Sequence, residues 1–168
     1  MRILVSFLFA AGLFAQQFPI ANVQTLTEKK ISLPADLPPG QSLLVIGFTQ
    51  KSQTNSEAWS KQLKADLGKD FVFYPIAVLE DAPRLLRGII TGSIKKSVPK
   101  DDQDRFLIVT KGQKDLKIAF GFDKAAQDDA YLVLTDKSGK MTWKYHGPPT
   151  RALTREIMAQ FLERQLRP

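Results

Sequence analysis

The run Leu43-Leu-Val-Ile-Gly-Phe48, with the segment Thr49-Gln-Lys-Ser-Gln-Thr-Asn-Ser-Glu-Ala-Trp59 behind it, is the most informative junction in this 168-residue chain. Its first six residues are apolar, of strand length and without alternation, the pattern of a strand buried on both faces. A cluster of Ser, Thr and Asn then leads to Trp59, Leu63 and Leu67, spaced four apart as on one buried helix face. Short hydroxyl and amide side chains at such a boundary accept the free N–H groups of a helix start. The junction reads as a central strand, a tight turn and an amphipathic helix.

On the N-terminal side, Pro34, Pro38, Pro39 and Gly40 break the chain before this strand. Ahead of them, Val23-Gln-Thr-Leu-Thr27 and Lys30-Ile-Ser-Leu33 alternate as two short strands, so residues 16–40 are expected to form an extended lead-in or hairpin laid against a domain of residues 41–168. Further upstream, Ile3 to Phe14 is apolar apart from Ser6 and follows Met1-Arg2, ending in Leu13-Phe14-Ala15 before Gln16-Gln17. That stretch is short of the roughly 20 apolar residues needed to span a bilayer, and it has the layout of a cleavable signal peptide over residues 1–15. The expected location is periplasmic or otherwise extracytoplasmic, with a membrane tether if the segment is retained.

On the C-terminal side, Phe71 to Leu79 reads as a second strand, with Pro75 placing it near an edge or a bulge. The next helix has start and stop signals: Asp81 as cap, Pro83 in its first turn, Lys95 and Lys96 in its last, and Pro99 beyond. Leu85, Leu86, Ile89, Ile90 and Ile94 make one stripe expected to pack on the sheet, and Gly88 and Gly92 suggest a close approach to the backbone there. Lys100 to Arg105 reads as a solvated loop, Phe106 to Val109 as a third strand, and Lys111 to Phe120 as a short helix stopped at Gly121. Ala130 to Thr135 is a fourth strand. Through a turn at Asp136 to Gly139 it joins Met141 to His146, where Met141, Trp143 and Tyr145 alternate with polar residues. Pro148 to Thr150 open a last helix whose apolar set, Leu153, Ile157, Met158, Phe161, Leu162 and Leu166, faces the core. The order predicts an α/β fold, a mixed sheet with helices on both faces.

Composition bounds the chemistry. With 43% hydrophobic and 24% charged residues the chain suits one globular domain, and 24 Lys and Arg against 17 Asp and Glu leave +7, which favours an acidic partner, whether a protein, an anionic lipid surface or nucleic acid, without choosing among them. The cysteine count is zero, which excludes disulfides, thiol catalysis and cysteine metal sites. The single His146 has no ligand-spaced partners, and there is neither a G-x-S-x-G nucleophile elbow nor a phosphate-binding loop. Lys140, Trp143, Lys144 and Tyr145 mix basic and aromatic residues as single-strand binders do, but strand alternation and core packing account for them, and no nucleic-acid partner is expected.

The strand–turn–helix junction resembles that of thioredoxin-like proteins, in which it carries a Cys-x-x-Cys at the helix N-terminus. Laid over that pattern from Phe48, the two cysteine positions fall on Gln53 and Ser56, and Ala130 stands where redox members keep a cis-proline. Three further stretches extend the likeness: Pro83-Arg-Leu-Leu-Arg-Gly-Ile-Ile-Thr-Gly-Ser-Ile-Lys-Lys-Ser-Val-Pro99, Arg105-Phe-Leu-Ile-Val-Thr110, and Tyr131-Leu-Val-Leu-Thr-Asp-Lys-Ser-Gly-Lys-Met-Thr-Trp-Lys-Tyr-His-Gly147. Together they resemble the mitochondrial assembly-factor family of the rotary ATP synthase, thioredoxin-like without an obligatory Cys-x-x-Cys, and identify the chain as an exported bacterial relative. The resemblance implies a non-catalytic factor that assists a membrane-embedded subunit during assembly. That family works on the matrix side of its membrane, whereas the N-terminal segment here points outward.

Two functional classes follow. One is a non-catalytic binding or assembly factor for a membrane or envelope protein, without cofactor or metal. The other is a thioredoxin-like oxidoreductase or peroxidase relative acting without its own cysteines, which the composition disfavours. For the first, the candidate partner surface is the basic helix with Arg84, Arg87, Lys95 and Lys96, together with the hairpin end at Lys144 and His146. Its partner would be a membrane-associated protein, with peripheral contact to an anionic membrane surface. Gln53 and Ser56 are expected to serve as turn and helix cap.

Overall fold

The structure is a computed structural model that describes residues 16–165; the segment 1–15, read as a signal peptide, lies outside the described residues. Its organising strand is β3 (Ser42–Gly47), with all six residues buried. Beside it run β4 (Tyr74–Val78), parallel, and β6 (Ala130–Thr135), antiparallel. With the hairpin β1 (Ala21–Thr25) and β2 (Lys30–Leu33), and with β5 (Leu107–Val109) and β7 (Met141–His146), these form a seven-stranded sheet of order β2-β1-β5-β4-β3-β6-β7. The lead-in hairpin is thus part of the sheet, joined to it through the antiparallel pairing of β1 with β5.

Handedness distributes the helices. The parallel strands β3, β4 and β5 advance in one direction across the sheet, so right-handed crossovers put α1 (Ser52–Leu67) and α2 (Arg84–Ser97) on the same face. There Leu43, Val45, Leu132 and Leu134 pack with Trp59 and Leu63 of α1 and with Ile157 of α4 (Arg151–Gln165). The opposite face presents Leu44, Ile46, Ile76, Leu107 and Tyr131 to Leu116, Ala119 and Phe120 of α3 (Gln113–Phe120). Trp59 is fully buried, and its indole N–H donates to Gly147 O at 2.7 Å, so the polar edge of the largest core side chain is satisfied. No helix of the described residues is long and apolar enough to cross a membrane.

Several local expectations need correction. Pro75 does not mark an edge: it pairs with Val45 of β3, and β5 begins alongside β4 only at Ile76, so the missing N–H falls before that ladder starts. Asp81 does not cap α2; Pro83 is its N-cap residue, and the Asp81 carboxylate instead accepts from Gln113 Nε2 and lies 3.6 Å from Lys117 Nζ. Lys100 to Arg105 is more than a solvated loop. Asp102 there pairs with Lys64 of α1 and with Arg105, and the buried Gln103 donates through Nε2 to Lys95 O and Val98 O, closing the C-terminal end of α2. In α4, Ile157 is buried but Leu162 is exposed.

The largest departure concerns α2. Only Ile94 of its stripe is buried, with Ile90 partly so; they meet Leu26 and Ile108, while Leu85, Leu86 and Ile89 stay in solvent. Gly88 and Gly92 have open space around the position a Cβ would take, so no close approach explains them.

A substitution pair follows from this division. Leu85→Ser is expected to leave the urea unfolding free energy within about 0.5 kcal/mol of the parent, whereas Ile94→Ala should lower it by about 2–5 kcal/mol. Equal losses at the two sites would mean that the whole stripe is packed in solution.

Candidate functional site

At the C-terminal end of β3 the chain turns into α1 through a reciprocal pair of hydroxyls. Thr49 N–H donates to Ser52 Oγ at 3.1 Å, Ser52 N–H donates to Thr49 Oγ1 at 3.1 Å, and Ser52 Oγ donates onward to Thr49 O at 2.7 Å. The first N–H of the helix, that of Ser52, is thereby satisfied by a side chain just ahead of it. Thr49 Oγ1 also donates to Asp128 Oδ1 at 2.8 Å, and Asn55 Nδ2 donates to Asp128 O at 2.6 Å, so the loop ahead of β6 is pinned to the first turns of α1.

Gln53 and Ser56 therefore do not cap the helix as expected; both lie inside it. Gln53 Nε2 donates to Glu57 Oε1 at 3.1 Å on the helix surface. Ser56 turns inward, and its Oγ is buried without a hydrogen-bond partner among the described residues. Gly47 lies beneath it: a Cβ there would come within 2.6 Å of Ser52 Oγ and 3.3 Å of Ser56 Oγ, which explains why the strand ends in glycine. Ala130, fully buried, pairs directly with Gly47 across the sheet. Two of the three positions that carry redox chemistry in thioredoxin-like proteins, Ser56 and Ala130, thus converge on Gly47, but among the described residues no base is hydrogen-bonded to the hydroxyl there.

The six candidate partner-binding residues do not form one surface. Trp143 and Tyr145 of β7 pack toward the α1 and α4 face, so the alternating Lys144 and His146 lie on the α3 face, opposite α2. β7 is also three strand intervals from β4, about 14 Å at the usual spacing. Lys144 Nζ donates to Ala119 O in the last turn of α3 at 3.2 Å, a cation placed at a helix C-terminus. His146 Nδ1 lies 2.9 Å from Asp129 Oδ2, and its ring stacks on Tyr131 at 5.0 Å; no hydrogen bond links it to Ser56. Arg87 folds back on the protein, donating to Glu80 O at 2.6 Å, Ala82 O at 3.0 Å and Thr110 O at 3.5 Å. Arg84, Lys95 and Lys96 are exposed and form no ion pair among the described residues.

A groove of about 480 Å³ between α1 and α4 was not foreseen; Asp66, Leu67, Arg151, Thr154, Arg155 and Leu162 line it. The Thr154 hydroxyl donates to Asp66 at 2.5 Å, and this bond, then Gln62, then Arg151 and Arg155, hold the Asp66 carboxyl below the ordinary carboxylate range. Among the described residues no group of three metal-ligating side chains comes together.

No protein-family model and no curated protein matches the chain. Solved structures do. A putative electron transfer protein from Aquifex aeolicus VF5 aligns with a TM-score of 0.62 at 15% identity, over 88% of this chain and 91% of that one. BsSco, a member of the Sco family of cytochrome c oxidase assembly proteins, gives 0.60 at 13% identity over 89% and 94%. The exposed lipoprotein thioredoxin of Streptococcus pneumoniae strain TIGR4 gives 0.58 at 11% identity over 84% and 99%. The fold is thioredoxin-like, as the sequence implies. These neighbours do not support the ATP synthase assembly family.

Removing the hydroxyl that accepts the first helical N–H with Thr49→Ala should lower stability by about 1 kcal/mol, while Ser56→Ala, which deletes a buried oxygen without a partner among the described residues, should leave it unchanged or raised. Chemical denaturation of the two variants checks this, and a larger loss from Ser56→Ala would reveal a bond to its hydroxyl. For Asp66, a lowered folded-state pKa means stability that is present above the unfolded value and lost as pH falls through the folded one. Thr154→Val removes the first cause, so the Asp66 carboxyl should titrate nearer 3.8 in an NMR pH series. An unmoved titration would place the cause in the Gln62 hydrogen bond and the neighbouring arginines.

Proposed function

We propose that this chain is a non-catalytic, thioredoxin-like binding or assembly factor acting on a membrane or envelope protein complex outside the cytoplasm. The observation that carries the reading is the state of the junction: in a chain with no cysteine, Gln53 is tied to Glu57 and the Ser56 hydroxyl has no hydrogen-bonded partner or base among the described residues. The scaffold keeps the strand end, the helix start and the anchored loop ahead of β6 and carries no nucleophile on them. An assembly role has precedent in the fold, since BsSco belongs to a family named for assembling cytochrome c oxidase. The client class is a membrane complex under construction. ATP synthase, implied by the sequence resemblance, is one candidate, and capture from membranes tells it from others. Export fits the apolar segment Ile3 to Phe14 and a neighbour described as an exposed lipoprotein.

The contact surface is the part of the basic set that is not consumed internally, Arg84, Lys95 and Lys96 on α2. Exposed cations of this kind set encounter rate and salt sensitivity. Arg84→Glu with Lys95→Glu and Lys96→Glu should reduce crosslinked capture of the client from source-cell membranes several-fold, with the parent's capture weakening as salt rises. Unchanged capture would move the contact surface elsewhere. Disulfide-reductase or peroxidase turnover by the purified chain would overturn the non-catalytic reading.

A further inference from the structure

The outer side of α2 is apolar where a solvated helix is polar. Leu85 is 92% exposed, Ile89 70% and Leu86 46%, although buried positions were available to other residues of the same helix. At 3.6 residues per turn, Leu85 and Ile89 lie about 40° apart, with Leu86 about 60° further round toward the core-facing Ile90. Lys96 falls between Leu85 and Ile89, and Arg84 and Lys95 border the ridge on its other side, beyond the open Gly88 and Gly92. The helix contains Arg84, Arg87, Lys95 and Lys96 and no acidic residue.

We infer that α2 seats the protein on an anionic lipid bilayer, with Leu85, Leu86 and Ile89 entering the boundary between headgroups and acyl chains and Arg84, Lys95 and Lys96 on lipid phosphates. This rests on the reading that α2 is the contact surface of the assembly factor, and it names what that surface touches. Charge decides among the occupants. A second copy would set one acid-free cationic helix against another, and the chain's own residues 1–15 carry Arg2 and no acid, so neither complements the ridge. Anionic headgroups do, and a short basic helix with aliphatic side chains on its free face has the composition of one that lies in a membrane interface. The ridge stands out from a convex helix, a shape that a deformable lipid surface accepts without a preformed groove.

The test uses the full chain with vesicles of phosphatidylcholine alone or mixed with phosphatidylglycerol. Because the chain lacks cysteine, Leu85→Cys and Ile118→Cys each give a single labelling site, the latter on α3 at the opposite face. An environment-sensitive dye at position 85 should shift to the blue on mixed vesicles and stay unshifted at position 118. Leu85→Ser with Ile89→Ser should weaken binding to mixed vesicles by on the order of tenfold, and Arg84→Glu with Lys95→Glu and Lys96→Glu should reduce the preference for mixed over plain vesicles by a similar factor. Equal shifts at both labelled positions, unchanged binding of the serine variant, or an unchanged preference in the glutamate variant would overturn the inference. If the parent ignores vesicles while client capture still depends on Arg84, Lys95 and Lys96, the bilayer is the wrong occupant and the ridge fits an acidic groove on the client. Vesicle binding without any captured client would instead sink the assembly reading and leave this one standing.

Discussion

Everything in this molecule depends on taking both faces of one strand out of water. Leu43, Leu44, Val45 and Ile46 have no exposed surface, and each such side chain is worth roughly 1.5–3 kcal/mol of transfer free energy when fully buried. Because alternate residues point to opposite faces, neither side of the sheet can be left bare. The right-handed march from β3 through β4 to β5 assigns α1 and α2 to one face, so the return to β6 has to bring α3 across the other. Trp59 then fixes the angle of α1, its ring filling the core and its N–H reaching Gly147 at the far end of β7.

The same constraint explains why the junction at Gly47 is crowded yet chemically quiet. The strand end has to meet Ser52, Ser56 and Ala130 within a space that excludes even a methyl group. Thr49 and Ser52 use their polar atoms on each other, and Asp128 takes what remains of Thr49. Formal charge behaves likewise: of the six cationic or titratable residues that stand out in the sequence, Arg87, Lys144 and His146 are bound to carbonyls or a carboxylate of the protein itself.

Local periodicity made much of this legible. The doubly buried strand, the Trp59-Leu63-Leu67 face, the closing hairpin and the element order are all short-range patterns, and the thioredoxin-like fold follows from their sequence. What periodicity cannot show is how much sheet lies under a stripe. A helix of α2's length runs about 21 Å, but β5 is three residues long and offers α2 only Ile108, so Ile90 and Ile94 are covered and Leu85 and Ile89 are not. The alternation in β7 told that Lys144 and His146 are wet, but neither that α3 lies beneath them nor that the register shift at Leu134 and Thr135 turns Met141 into the α3-side core, opposite Trp143 and Tyr145. Asp128 and Thr154 carry contacts across more than seventy residues of chain, and nothing in their immediate neighbourhood announces them.

The two hydrogen bonds to Asp128 have a mechanical consequence. Thr49 holds its carboxylate and Asn55 its carbonyl, so the segment leading into β6 cannot lift from the sheet without also loosening the start of α1. Fluctuations at that end are thereby merged into one cooperative opening, in which amides of the first turn of α1 and of the segment ahead of β6 exchange with solvent together, as a single unit of local unfolding.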